Sequence, residues 1–154
     1  MCSLSRRHAI RGFGLLGGGF LLAAACRPVG SAEVPLAIKG YDAVAYFSDG
    51  KPVRGLPEFA YEWDEHSYHF ATAAHRDQFA ADPVHFAPQF GNFCAMALAK
   101  GEVVVANPEN WLISDGKLYV FGKSAPMGPV LFQQDLSTNI VRANQNRPML
   151  PKDH

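Results

Sequence analysis

The chain has 154 residues, which is the length of one folded domain with short extensions. Its 14 basic and 14 acidic residues balance, and no basic run or stripe occurs, which argues against nucleic acid as a partner. Apolar residues make up 48% of the sequence and aromatic residues 12%, which is enough for a single well-filled core.

The N-terminus carries the features of an export signal. The basic segment 5–11 contains the adjacent Arg6 and Arg7, and an uncharged, glycine-rich stretch follows over residues 12–25. That stretch is shorter and less apolar than a stable transmembrane helix requires. We therefore predict an export signal at residues 1–25, and the paired arginines favour the twin-arginine route. The mature protein is then expected in the periplasm or anchored at the cell envelope.

Two cleavage sites are compatible with this signal. Residues 22–26 resemble a lipobox, in which Cys26 would be acylated and would become the new N-terminus. The alternative is ordinary cleavage after Ala32. We favour the lipoprotein, in which case the protein meets the membrane only through its lipid anchor. Residues 26–38 are interpreted as a tether, and the folded domain is predicted over residues 39–150.

The first half of this domain predicts strands followed by a helix. Residues 43–47 are strand-like. Segments 59–63 and 67–71 alternate in side-chain character and flank a short polar turn, which predicts a β-hairpin. Thr72 is a candidate N-cap for a helix over residues 73–81.

The middle of the domain predicts a short helix and a second hairpin. Asn92 is a candidate cap for a helix over residues 93–100, which a glycine then ends. Residues 102–106 are β-branched and predict a strand. Segments 111–114 and 117–121 flank an Asp-Gly pair, which is a strong hairpin signal.

The C-terminal segment predicts one long helix over residues 128–146. Phe132, Leu136 and Ile140 recur every four residues with Val141 beside them, which is the spacing of one apolar helix face. Together the elements predict an α+β fold. Its sheet is small and mostly antiparallel, its helices are short, and the C-terminal helix packs on the sheet.

Cys94 is the strongest candidate for a functional residue in the predicted folded domain. Cys2 leaves with the signal and Cys26 is lipidated or removed, so no internal disulfide can form. A helix N-terminus favours the thiolate form of a cysteine, and a thiolate suits copper or zinc. Met96 offers a second soft sulfur, but two residues along a helix the side chains diverge by about 200°, so we do not expect both to hold one ion. The alternative is a small, buried and inert core residue.

Three histidines are candidate nitrogen donors. His69 lies on a predicted strand between two core aromatics and is the strongest of them, whereas His75 and His85 fit a solvated surface better. None forms a helical pair four residues apart, and no HExxH or CxxC motif occurs. Asp42 and Asp49 are interpreted as turn residues rather than as catalytic acids.

A set of ordered motifs resembles the YHS domain family. The motifs occupy residues 40–47, 68–71, 79 with 82–83, 88–95, 107–111, 115–119 and 146–148. The resemblance covers roughly residues 38–150. It implies a small α+β unit related to treble-clef metal-binding modules, for which copper binding is suspected. Family members often have two cysteines, and this chain keeps only the later one.

The resemblance therefore implies an incomplete ligand set. Ala74 and His75 stand near the position of the missing cysteine, so a closed four-ligand site is not expected, and His69 or His75 would have to act as a further donor. The leading hypothesis is a non-enzymatic exported protein that binds copper or zinc weakly through Cys94 with His69, and His75 as a further candidate. The alternatives are an envelope interaction module with a protein partner and an inert Cys94, and a thiol enzyme in which His69 activates Cys94.

Overall fold

The structure is a computed structural model that describes residues 34–122 and 126–151. The predicted export signal, both cleavage sites and the lipidation residue Cys26 lie outside the described residues. Within the described part, no helix combines the length and the apolar character that crossing a bilayer requires.

The described residues form six α-helices and four β-strands, which confirms the predicted α+β class. The strands are β1 (Leu56–Trp63), β2 (His66–Phe70), β3 (Asn107–Ser114) and β4 (Lys117–Phe121). The helices are α1 (Ala45–Ser48), α2 (Ala73–Ala81), α3 (Pro83–Phe86), α4 (Ala95–Ala99), α5 (Met127–Gln134) and α6 (Leu136–Asn146). The strands pair as two antiparallel hairpins, β1 with β2 and β3 with β4.

Both predicted hairpins are confirmed, and each closes through a two-residue turn. Asp64 and Glu65 have φ of 48° and 61°, and Asp115 and Gly116 have φ of 51° and 67°. A two-residue turn with both φ values positive matches the right-handed twist of the flanking strands. The turns therefore set the register next to them, and in each hairpin the register shifts farther out, between Leu56 and Ala60 and between Asn107 and Trp111.

The segment 43–47 was wrongly predicted as a strand. Asp42 accepts hydrogen bonds from the backbone N–H groups of Val44 and Ala45, at 2.9 and 3.2 Å, and this cap starts α1 instead. Residues 102–106 do not form a strand either. They make a single antiparallel bridge, Phe93 to Val105, and one bridge does not extend into a ladder.

Two boundaries also differ from the prediction. The C-terminal segment is two helices, because the backbone breaks at Asp135 with φ −144° and ψ 62°. The apolar face continues across this break, although Val141 is 54% exposed and does not belong to it. At the other end, Ala37 and Ile38 from the predicted tether are buried, so the folded part begins before residue 39.

Strand β4 separates two hydrophobic cores. Leu118 and Val120 belong to the first core, which β2, α2 and the N-terminal segment complete. Tyr119 and Phe121 belong to the second core, which α4, α5 and α6 complete. Successive side chains of a strand point to opposite sides, so one fully buried strand serves both cores. The C-terminal helix α6 thus packs against the β3–β4 hairpin through the second core.

Candidate functional site

Cys94 lies immediately before α4 rather than inside it. Its backbone is extended, with φ −69° and ψ 115°, and its Sγ accepts a hydrogen bond from the N–H of Ala97 at 3.3 Å. Asn92 does not cap this helix as predicted. Its side chain accepts a hydrogen bond from the backbone N–H of Ile38 and donates to the carbonyl of Leu36, which ties the start of the domain to this loop.

Cys94 is a free thiol at the edge of the second core. The residue is 7% exposed, and its backbone N–H donates to the carbonyl of Val104 at 2.8 Å. Gly122 packs against the same place, since a Cβ at this glycine would lie 3.5 Å from Cys94 Cβ and 2.8 Å from Val104 Cγ1. The thiol is therefore held between two chain segments rather than left on an open surface.

A cavity of about 170 Å³ borders Cys94, and two methionines also line it. Met96 from α4 and Met127 from the start of α5 line it together with Cys94. Lys100 and Glu102 add one positive and one negative side chain to the lining. Three sulfur-containing residues thus line a single cavity, together with one basic and one acidic residue.

The expected divergence of Cys94 and Met96 along one helix does not apply to the structure. The helical period applies only to residues inside a helix, and Cys94 precedes α4 in an extended conformation. Met127 was not predicted at all, because it reaches the cavity only through the packing of α5 onto α4. The only feature of the sequence that could have identified Met127 is that methionine carries a soft sulfur donor. In the structure Met127 is 57% exposed although it lines the cavity.

The predicted histidine donors lie elsewhere. His69 is half-buried on β2, opposite Ala60, and a Cβ at Gly40 would lie 3.7 Å from its Nδ1. Neither His69 nor His75 lines the cavity beside Cys94. In residues 34–122 and 126–151, no group of three or more His, Cys, Asp or Glu side chains is placed to hold a metal ion. Methionine thioethers are outside that set of residue types.

His75 and Asp42 form a polar centre that the sequence reasoning misjudged. Asp42 precedes a turn, as predicted, but it is fully buried, and its Oδ2 accepts a hydrogen bond from His75 Nδ1 at 2.7 Å. The same oxygen accepts from the backbone N–H of Ala71 at 2.8 Å, while Oδ1 caps α1 through Val44 and Ala45. His75 is therefore a fixed side chain with 15% of its surface exposed, rather than a freely solvated one.

Comparisons with known proteins do not extend these observations. No protein-family model matches the chain, and neither a curated protein nor a solved structure matches it. The resemblance to the YHS family therefore stays a prediction from the motifs.

Proposed function

We propose that this protein binds Cu(I) in the cavity bordered by Cys94, Met96 and Met127. The observation that carries the proposal is that three sulfur-containing residues from two parts of the chain line the same cavity. Thiolate and thioether sulfurs are soft donors that select Cu(I). Zinc fits this donor set less well, because its usual protein ligands are cysteine, histidine and carboxylate in a closed set of four.

The proposed donors come from two parts of the chain. Cys94 and Met96 stand at the start of α4, whereas Met127 begins α5. An ion held by all three would tie these helices together, and a ligand that binds only the folded state stabilises it. We therefore expect Cu(I) to raise the midpoint of urea unfolding. The urea midpoint reports binding without a competing chelator, so it is independent of the chelator assay described next.

The test is competition for Cu(I) against a chromophoric chelator under anaerobic conditions. The wild-type chain should take up one Cu(I). Cys94→Ser and Met127→Leu should each weaken binding about tenfold or more, which corresponds to about 1.4 kcal/mol per decade. Met149→Leu is the matched control, because Met149 is 50% exposed and does not line the cavity. Leucine replaces methionine with little change in volume, so packing is preserved.

A second arm separates this site from the one expected from the sequence. His69→Asn should leave Cu(I) affinity unchanged if the sulfurs are the donors. A loss of affinity in His69→Asn with none in Met127→Leu would favour the histidine site instead. Absence of Cu(I) uptake, or equal uptake by Cys94→Ser, would overturn the proposal in both forms.

An interaction module is the second candidate function. Three consecutive valines beside the cavity, Val103, Val104 and Val105, are 41%, 39% and 58% exposed. Contiguous exposed apolar side chains are typical of surfaces that a protein partner covers. This candidate predicts an inert Cys94 that thiol reagents reach only after unfolding. Rapid labelling of the native protein, slowed by Cu(I), would refute it and support the metal site.

A further inference from the structure

The buried Asp42 carboxylate fixes the orientation of His75. A carboxylate only accepts hydrogen bonds, so the 2.7 Å contact places the imidazole proton on Nδ1. Nε2 is then the unprotonated nitrogen of the neutral ring. Asp42 cannot rotate away, because both of its oxygens also hold backbone N–H groups of α1 and of the segment before α2.

The free nitrogen of His75 faces a serine hydroxyl. His75 Nε2 lies 3.4 Å from Oγ of Ser48, the last residue of α1. Ser48 is exposed to solvent. A small molecule can therefore reach the hydroxyl. Asp42, His75 and Ser48 are thus arranged as in a serine nucleophile with its general base. The imidazole takes the proton of the hydroxyl, and the carboxylate orients the imidazole.

We propose that Ser48 is a nucleophile that takes the acyl group of small carboxylic esters. Ser48 Oγ forms a bond to the ester carbonyl carbon while its proton passes to His75 Nε2. The carbon–oxygen bond to the alcohol then breaks, and the alcohol leaves with that proton. Water attacks the acyl-serine in the second half, gives one proton to Nε2, and releases the carboxylic acid as the proton returns to Oγ. Asp42 is a positioning residue in this scheme.

A neighbouring carboxylate restrains the hydroxyl in the resting state. Ser48 Oγ has one hydrogen, and three acceptors compete for it: Asp49 Oδ1 at 2.8 Å, the backbone carbonyl of Val44 at 3.3 Å and His75 Nε2 at 3.4 Å. The Asp49 carboxylate is the nearest of them. The hydrogen must turn from Asp49 to His75 before the serine can attack. Removal of the Asp49 side chain should therefore increase the rate. A purely structural role of His75 predicts no such increase.

The test is acetylation of the full-length protein by p-nitrophenyl acetate, followed by release of p-nitrophenolate and by mass spectrometry. We expect one acetyl group, located on Ser48 by peptide mapping. Ser48→Ala should abolish this adduct, and it removes only an exposed hydroxyl. His75→Gln should lower the rate about 100-fold, which is within the usual contribution of a general base. Asp49→Ala should raise it.

Matched controls separate the centre from general surface reactivity. Ser137→Ala removes an exposed serine of α6, and His85→Gln removes an exposed histidine, and both should acetylate at the wild-type rate. The proposal is overturned if the wild-type protein gains no acetyl on Ser48, or if the group is found on another residue. It is equally overturned if folded His75→Gln, verified by its circular dichroism spectrum, reacts as fast as wild type.

Discussion

Asp42 should be among the most costly single side chains to remove from this fold. Its carboxylate accepts four hydrogen bonds, three from backbone N–H groups and one from His75 Nδ1. Alanine at position 42 would leave all four donors without their acceptor in a place where Asp42 itself is fully buried. A buried donor without a partner costs about 1–3 kcal/mol.

The full sum overstates the loss, because some of these donors can reach water. His75 is 15% exposed, and Ala71 is half-buried. We therefore expect Asp42→Ala to lower the free energy of unfolding by about 3 kcal/mol, which is a large part of the roughly 5–15 kcal/mol of a typical domain. Asp42→Asn should cost about 1–2 kcal/mol, because the amide oxygen keeps two of the four hydrogen bonds while its NH₂ group faces the other two donors.

Equilibrium unfolding in urea, followed by tryptophan fluorescence, measures these differences. The slope of the free energy with urea should not change if the variants remain two-state. Asp49→Ala is the control, because Asp49 is exposed just after α1 and receives only the hydroxyl of Ser48 among the described side chains; it should stay within about 0.5 kcal/mol of wild type. A loss below about 1 kcal/mol in Asp42→Ala would refute the reasoning.

Two further predictions concern the packing and the tyrosines. Gly128→Ala should destabilise the fold by about 1–3 kcal/mol, because the new Cβ would lie 2.6 Å from Cβ of the buried Phe121; an unchanged melting temperature would contradict this. Burial raises the pKa of Tyr46 and of Tyr68, so the unfolded chain releases protons above about pH 10 that the folded protein retains. The contribution of these two tyrosines to the free energy of unfolding should be constant well below that pH and should then fall by up to about 1.4 kcal/mol per pH unit for each tyrosine, and urea midpoints between about pH 9 and pH 11 will show whether it does.

The elements that the sequence predicted correctly are those that local interactions determine. Both hairpins depend on two-residue turns whose φ values only a few residue types accept. The helix over residues 73–81 begins where Thr72 accepts a hydrogen bond from the N–H of His75, three residues along the chain. Such signals are complete within a few residues, so they can be detected without knowing the rest of the fold.

The elements and sites that the sequence missed depend on contacts between distant segments. α1 forms because Asp42 is buried and holds its first N–H groups, and the strand-like pattern of residues 43–47 gives no sign of that burial. His75 meets Asp42 across 33 positions of sequence. Met127 reaches the cavity beside Cys94 only after α5 has packed. The sequence identified Cys94 as the candidate thiol ligand, but only the packing of the helices shows which other candidate ligands lie near it.

The two proposed sites belong to different cores, and β4 explains why. Cys94 is part of the second core with Tyr119 and Phe121, whereas the side of β4 that carries Leu118 and Val120 faces the first core. Asp42 packs among first-core residues, because Tyr41 and Ala43 on either side of it belong to that cluster. No side chain is shared between the sulfur cavity and the Ser48 centre. Loss of Cu(I) binding in Cys94→Ser therefore says nothing about acylation of Ser48. The Cu(I) competition assay tests only the sulfur cavity, and the acetylation assay tests only the Ser48 centre.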